Sequence, residues 1–237
     1  MLRHLLSICA ILACLGLMPQ AVKAQSAGTV DVAIVLAVDA SASVDGQEYL
    51  LQIGGIAHAI SHPSVLSVID GGRNKAIAIS VVTWASVGEQ HVLLPWTRID
   101  GPAAAQQVSA HLLDSPRQKF LRGGTAIGAA LSYSLLMFDR LPWPTERRVI
   151  DVSGDGRNSK PPLIRSLRPE IARRDVVING LPVTDNDSGL ARYYRDIVIS
   201  GYGAFSVPTY SFETFPDAFR IKLMREIRGG AMVSMQR

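Results

Sequence analysis

The chain has 237 residues, with 24 Lys and Arg against 20 Asp and Glu and a formal charge of +4 at neutral pH. Subtracting Arg3 and Lys23, which lie in a leader-like start, leaves 22 basic against 20 acidic residues and a formal charge of +2. That near-balance argues against a nucleic-acid or anionic-membrane surface. The only cysteines, Cys9 and Cys14, lie in the same start, so the remainder has neither disulfide nor thiol chemistry and depends on packing.

The first residues read as a targeting segment. Arg3 and His4 are basic, Leu5 to Met18 form an apolar run, and Val22-Lys23-Ala24 fits a small-residue cleavage site. The run spans about 14 residues where a membrane helix needs about 20, and Pro19 ends it. The expectation is a signal peptide over 1–24, one domain over 25–237, a periplasmic or secreted location and no transmembrane segment in the mature chain. A lipid anchor at Cys14 is the competing reading, but Leu12 and Ala13 fit an attachment box poorly and the apolar run continues past the cysteine.

Val30 to Val38 is almost continuously apolar and β-branched, as in a strand buried on both faces of a parallel sheet. From Asp45 to Ile60, Tyr49, Ile53, Ile56, Ala57 and Ile60 recur at helical spacing. Ala76 to Trp84 and Val92 to Trp96 predict strands, and Pro102 to Leu113 and Thr125 to Phe138 predict helices. Arg148 to Val152 predicts a strand, Leu163 to Arg174 a helix, and Val176 to Val183 a strand. Ala204 to Tyr210 suggests an edge strand bearing Pro208, and Phe215 to Ile227 a closing helix. Between them, Thr184 to Gly203 is the least readable stretch, with a possible helix from Leu190 to Ser200. Strands alternating with helices imply an α/β fold: a doubly wound, mostly parallel sheet with helices on both faces.

In such a sheet, ligands sit beyond the carboxyl ends of the strands, where strand order reverses. The first strand runs into Asp39-Ala40-Ser41-Ala42-Ser43. Thr125 opens a helix behind Gly123-Gly124, and the strand ending at Val152 runs into Ser153-Gly154-Asp155-Gly156. These are hard oxygen donors, suited to Mg²⁺, Mn²⁺ or Ca²⁺ and not to a soft metal. The expected metal set is Asp39, Ser41, Ser43, Thr125 and Asp155. Asp39, Ser41 and Ser43 alone could serve only to cap the following helix, and Thr125 could be an ordinary cap as well.

At these positions the chain resembles the von Willebrand A family, whose metal-ion-dependent adhesion site combines D-x-S-x-S, a distant Thr and a later Asp-Gly. The stretches VVTWAS, LPWTRI, FLRGGTAIGAAL, VIDVSGDGRNS and YGAF…FPDAFRIKLMREI look, more narrowly, like those of a bacterial family of exported proteins with such a domain and no agreed activity. The resemblance implies a Rossmann-like fold and a divalent cation, most simply Mg²⁺. It implies hydroxyls close to the ion, Asp39 and Asp155 acting largely through bound water, and a protein partner that presents an acidic residue. It leaves the oligomeric state open.

A second class of function competes. Gly154-Asp155-Gly156-Arg157-Asn158 resembles the metal-binding loop of haloacid-dehalogenase-type phosphatases, with Asp39 as nucleophile of a metal-dependent hydrolase. Such enzymes need an acid two residues after the nucleophile, where this chain has Ser41, and a further aspartate where it has Ser159. No G-x-S-x-G elbow supports a serine hydrolase. His58 and His62 are four apart but lack a glutamate after the first histidine and a third ligand, so a surface or satisfied pair is expected. Trp84, Trp96 and Trp143 are expected in the core. Tyr193-Tyr194 with Arg192 and Arg195 fits a helix surface or a partner-facing patch equally well. Asp151 shares parity with Ser153 and Asp155, so it either bonds a neighbouring helix or supports the metal site.

Overall fold

The computed structural model describes residues 28–229; the expected signal peptide and cleavage site, and Cys14, lie outside the described residues. Five strands form one sheet in the order β3-β2-β1-β4-β5. They are β1 (Ala33–Asp39), β2 (Ile77–Trp84), β3 (Gln90–Ile99), β4 (Arg148–Gly154) and β5 (Val176–Pro182). β1 pairs in parallel with both β2 and β4, β4 pairs in parallel with β5, and β3 returns antiparallel along β2.

Alternation along the central strand assigns its two faces. Ile34, Leu36 and Val38 enter one core with α1 (Gly46–Ser61), α2 (Pro63–Asp70), α3 (Pro102–Asp114) and α7 (Phe215–Arg228). Ala33, Val35 and Ala37 enter the other with α4 (Ile127–Met137), α5 (Arg168–Arg173) and α6 (Leu190–Tyr193). All three tryptophans belong to the second core, as their size and apolar body predict. A strand buried on both faces cannot alternate apolar with polar, which is why β1 reads as an unbroken hydrophobic run. The observed architecture is therefore the doubly wound, mostly parallel sheet expected from the sequence.

Several local expectations need correction. Ala204 to Tyr210 does not form a strand; it runs beside β5 with isolated bridges at Gly180↔Ser206 and Val183↔Thr209. Val207 and Thr209 donate to the carbonyls of Gly180 and Pro182, but Pro182 has no N–H to return. The ladder cannot become continuous. The segment 163–174 is a 3₁₀ turn (Ile164–Leu167) leading into a short α5, with Pro169 in the first turn. The possible helix at 190–200 is α6 running into a π turn over Tyr194–Val198. Tyr194 is fully buried there, so it is core and not surface. Finally, α4 starts at Ile127, with Thr125 in the loop ahead of it.

Candidate functional site

β1 and β4 are neighbours in register, with Val38 opposite Ser153. The loops that follow them therefore emerge side by side at the carboxyl edge of the sheet. Asp39 closes β1 and is completely buried. Its Oδ1 accepts the Ser41 backbone N–H at 2.8 Å, which bends the chain back over the strand end. Ser41 Oγ lies 3.2 Å from Ser43 Oγ, and Ser43 Oγ donates to Asp155 Oδ1 at 2.8 Å. A continuous polar chain thus links the D-x-S-x-S loop to the loop after β4.

Thr125 arrives from α4's approach loop. Its carbonyl accepts the Ser159 backbone N–H at 2.8 Å. A side chain on Gly156 would place Cβ 3.2 Å from Thr125 Oγ1, so the threonine hydroxyl sits directly against the Asp-Gly turn. The N-cap of α4 is Ala126, which makes no side-chain cap bond; the Thr125 hydroxyl is not a helix cap, contrary to the simpler reading. At the start of α1 the cap is Asp45, paired with Glu48 in a capping box. That arrangement frees Asp39, Ser41 and Ser43 from capping as well. The five residues singled out from sequence are therefore brought to one edge, Ser43 exposed and Asp39, Ser41 and Asp155 buried.

Electrostatically the site is unfinished. Asp39 Oδ2 is buried without a hydrogen-bond partner, and a Cβ on Gly154 would come within 2.6 Å of it. Only glycine lets the β4 backbone approach so closely. Burial pushes the Asp39 carboxyl up to about 7, the charge of Asp155 adds to the rise, and the Ser41 hydrogen bonds and Arg117 oppose it. Burial also raises Asp155, partly offset by Ser43. Two carboxylates that resist ionisation beside each other, with neutral hydroxyls around them, are a donor set that a hard divalent cation would complete. Among the described residues no group of three or more His, Cys, Asp or Glu gathers as a metal cluster, so a cation at this edge would rely on hydroxyl donors.

Supporting residues escaped the sequence reading. Gln52 of α1 is fully buried and donates to the Asp39 carbonyl at 3.1 Å, with its Oε1 3.5 Å from Ser153 Oγ. A glutamine inside an otherwise apolar helical stripe was the available signal. Glu89 accepts from the backbone N–H groups of Leu121 and Arg122 and so sets the loop carrying Thr125; it lies too far away in sequence to be linked by pattern. Asn158 spends its side chain on structure, accepting from Gly128 N–H and donating to the Lys160 and Pro162 carbonyls. Arg157 pairs with Asp187 at 2.7 Å. The GDGRN run is thus occupied in holding α4 and its loops. His62 caps α2 through Nδ1 at 3.2 Å from Ser64 N, and His58 is exposed.

This sheet order and helix placement are those of the von Willebrand A-type fold. Proximal thread matrix protein 1 (PTMP1) from the mussel byssus matches with TM-score 0.58 at 17% identity, over 84% of this chain and 46% of its own. A structure of the same protein with a zinc-occupied MIDAS motif gives 0.53 at 18% identity, over 82% and 46%. The pilus adhesin SpaC from Lactobacillus rhamnosus GG gives 0.57 at 12% identity, over 84% and 31%. A von Willebrand factor type A protein from Catenulispora acidiphila gives 0.52 at 15% identity, over 84% and 43%. The chain spans less than half the length of each, and at these identities the likeness is one of fold. The same fold is found in a matrix protein and in an adhesin.

The chain belongs to the family described as "Protein of unknown function (DUF1194)", whose model matches residues 29–231. No curated protein matches it in sequence. Among the described residues, no helix is long and apolar enough to cross a membrane.

Proposed function

We propose that the chain is an exported, metal-dependent protein-binding module in which Asp39, Ser41, Ser43, Thr125 and Asp155 hold one divalent cation, best suited to Mg²⁺ with Mn²⁺ or Ca²⁺ as substitutes. The observation that carries this reading is the buried, unpartnered Oδ2 of Asp39 at the head of a hydroxyl-rich loop. An ionised carboxylate without a counter-charge is costly in such a place. A bound dication supplies that counter-charge and, ringed by neutral hydroxyls, keeps enough positive charge to accept a carboxylate from a partner.

The chain's own residues then divide the work. Asp39 and Asp155 supply the negative charge that retains the ion. Ser41, Ser43 and Thr125 supply oxygen without further neutralising it, and Gly154 and Gly156 leave room for both loops to close on it. Gln52 and Glu89 hold the strand end and the Thr125 loop in place. Export by the 1–24 leader belongs to the same proposal; mass spectrometry of the native chain should find Gln25 at its amino terminus.

Ser41→Asp separates binding from hydrolysis. Added negative charge should tighten metal binding and weaken metal-dependent capture of immobilised Asp- and Glu-bearing peptides, whereas a phosphatase would gain the general acid it lacks. Metal affinity, peptide capture in Mg²⁺ against EDTA, and turnover of a generic phosphate ester are the three readouts. Metal-dependent turnover by the wild type, lost in Asp39→Asn, would overturn the binding reading.

A further inference from the structure

A second polar cluster lies deep between β4, β5 and α7, and the metal site does not use it. Asp151 of β4 and Lys222 and Glu226 of α7 are 3%, 0% and 2% exposed. Lys222 Nζ lies 2.6 Å from Asp151 Oδ1 and 2.5 Å from Glu226 Oε1. Glu226 Oε1 also accepts from Asn179 Nδ2 at 2.8 Å. Asn179 in turn accepts from the Phe205 backbone N–H through its Oδ1. The Phe205 ring covers the cluster, its centroid 5.6 Å from Lys222 Nζ and 3.7 Å from the Arg225 guanidinium carbon.

Two features distinguish this cluster from an ordinary buried ion pair. It holds two acids for one amine, and a buried charge without full compensation is expensive. The approach of Lys222 to Asp151 also lacks hydrogen-bond geometry: neither Asp151 oxygen has a hydrogen-bond partner, despite the short contact. The amine is packed against the carboxyl group without being properly bonded to it. A nucleophile held against a carbonyl carbon in a water-poor site, with a proton carrier touching it, is the arrangement that accelerates acyl transfer.

We propose that Lys222 and Asp151 condense into an intramolecular isopeptide bond, with Glu226 as the catalytic proton carrier. In the neutral tautomer of the pair, the Nζ lone pair attacks Asp151 Cγ and a C–N bond forms. Glu226 takes a proton from Nζ and returns one to the departing oxygen of Asp151. The C–O bond breaks and one water leaves; no oxidant, reductant or other reactant is required. Burial and the neighbouring Asp151 push the Glu226 carboxyl up to about 7, opposed by Lys222 and Asn179, which places it where it both accepts and donates protons. The product removes one amine and one acid from the interior and leaves an amide N–H beside Glu226. It also ties the central sheet to the last helix covalently.

The test is the intact mass of the purified wild-type chain, followed by peptide mapping. The expected result is a mass lower by one water, with a branched tryptic peptide joining the segments around Asp151 and Lys222 and no cleavage after Lys222. Lys222→Met and Glu226→Gln should both restore the full mass. A wild-type chain of full mass, cleaved normally after Lys222, would overturn the proposal whatever the variants do. So would a water loss that maps to a succinimide at Asp155-Gly156.

Discussion

Asp151 and Asp155 lie four residues apart along β4 and its loop, yet the protein treats their charges in opposite ways. At Asp151 the interior supplies a cation of its own, Lys222, together with Glu226, Asn179 and a covering aromatic ring. At Asp155 and Asp39 it supplies hydroxyls, backbone N–H groups and the more distant charge of Arg117, and leaves Asp39 Oδ2 without a partner. The first arrangement brings the chain's own amine against its buried acids and serves the fold. The second lacks a directly bonded cation, and that deficit is what a ligand would relieve. What separates the two carboxylate settings is therefore whether the chain provides a bonded counter-ion.

The largest expected effect lies in the Lys222 cluster. Lys222→Met removes the cluster's amine, and with it the proposed amide to Asp151, leaving Asp151 and Glu226 buried as two acids; removing one partner of a buried pair typically costs about 3–5 kcal/mol. Urea denaturation should show this as a markedly lower midpoint. A midpoint unchanged within error would mean that the cluster is better hydrated than its burial indicates.

At the uncompensated edge, the next largest effect comes from adding the ion. A cation that binds only the folded state adds about 2.7 kcal/mol when present at 100 times its dissociation constant. Thermal unfolding in Mg²⁺ against EDTA should show that increment in the wild type and not in Asp39→Ala. Gly154→Ala should reduce it, because the added Cβ would meet Asp39 Oδ2 at 2.6 Å. Its pH dependence follows from the raised Asp39 carboxyl. In the metal-free protein the folded state holds the Asp39 proton more tightly than the unfolded state does. The corresponding stability is present below about pH 4 and is lost as pH rises through about 7. Glu226, also raised to about 7, acts in the same direction. Metal binding requires the ionised carboxylate, so the Mg²⁺ increment should grow over the same interval and the wild type should lose less stability on alkalinisation when Mg²⁺ is present. An increment independent of pH between 5 and 8 would remove Asp39 from the ligand set.

The smallest effect should come from the helix start that follows the site loop. Asp45→Ala removes one half of the capping box and should cost about 1 kcal/mol while leaving metal affinity nearly unchanged. A large loss of affinity would show that the loop's shape depends on the cap more than on the Asp39 turn.

The carboxyl-edge residues were legible in the sequence because they directly follow strong strand patterns, and a buried parallel strand announces itself by an unbroken apolar run. Asp39 and Asp155 needed only the rule that ligands gather beyond strand ends. What the sequence concealed depends on packing between distant elements. Lys222 looks like a polar residue on an amphipathic helix until α7 is seen to place it against Asp151. Asp151 itself suggested a bond to a neighbouring helix without identifying Lys222 as its partner. Gln52 and Glu89 support the site from positions with no fixed spacing to it. The broken edge at 204–210 was misread because a run of suitable residues cannot reveal that its neighbour, Pro182, lacks the N–H the ladder requires.

The central claim is that Asp39 anchors a single divalent cation at this edge. Isothermal titration calorimetry of Mg²⁺ into the metal-stripped wild type and into Asp39→Ala tests it most directly. The account predicts one ion bound per wild-type chain and no saturable binding to the variant. Equal affinity and stoichiometry in both proteins would contradict it.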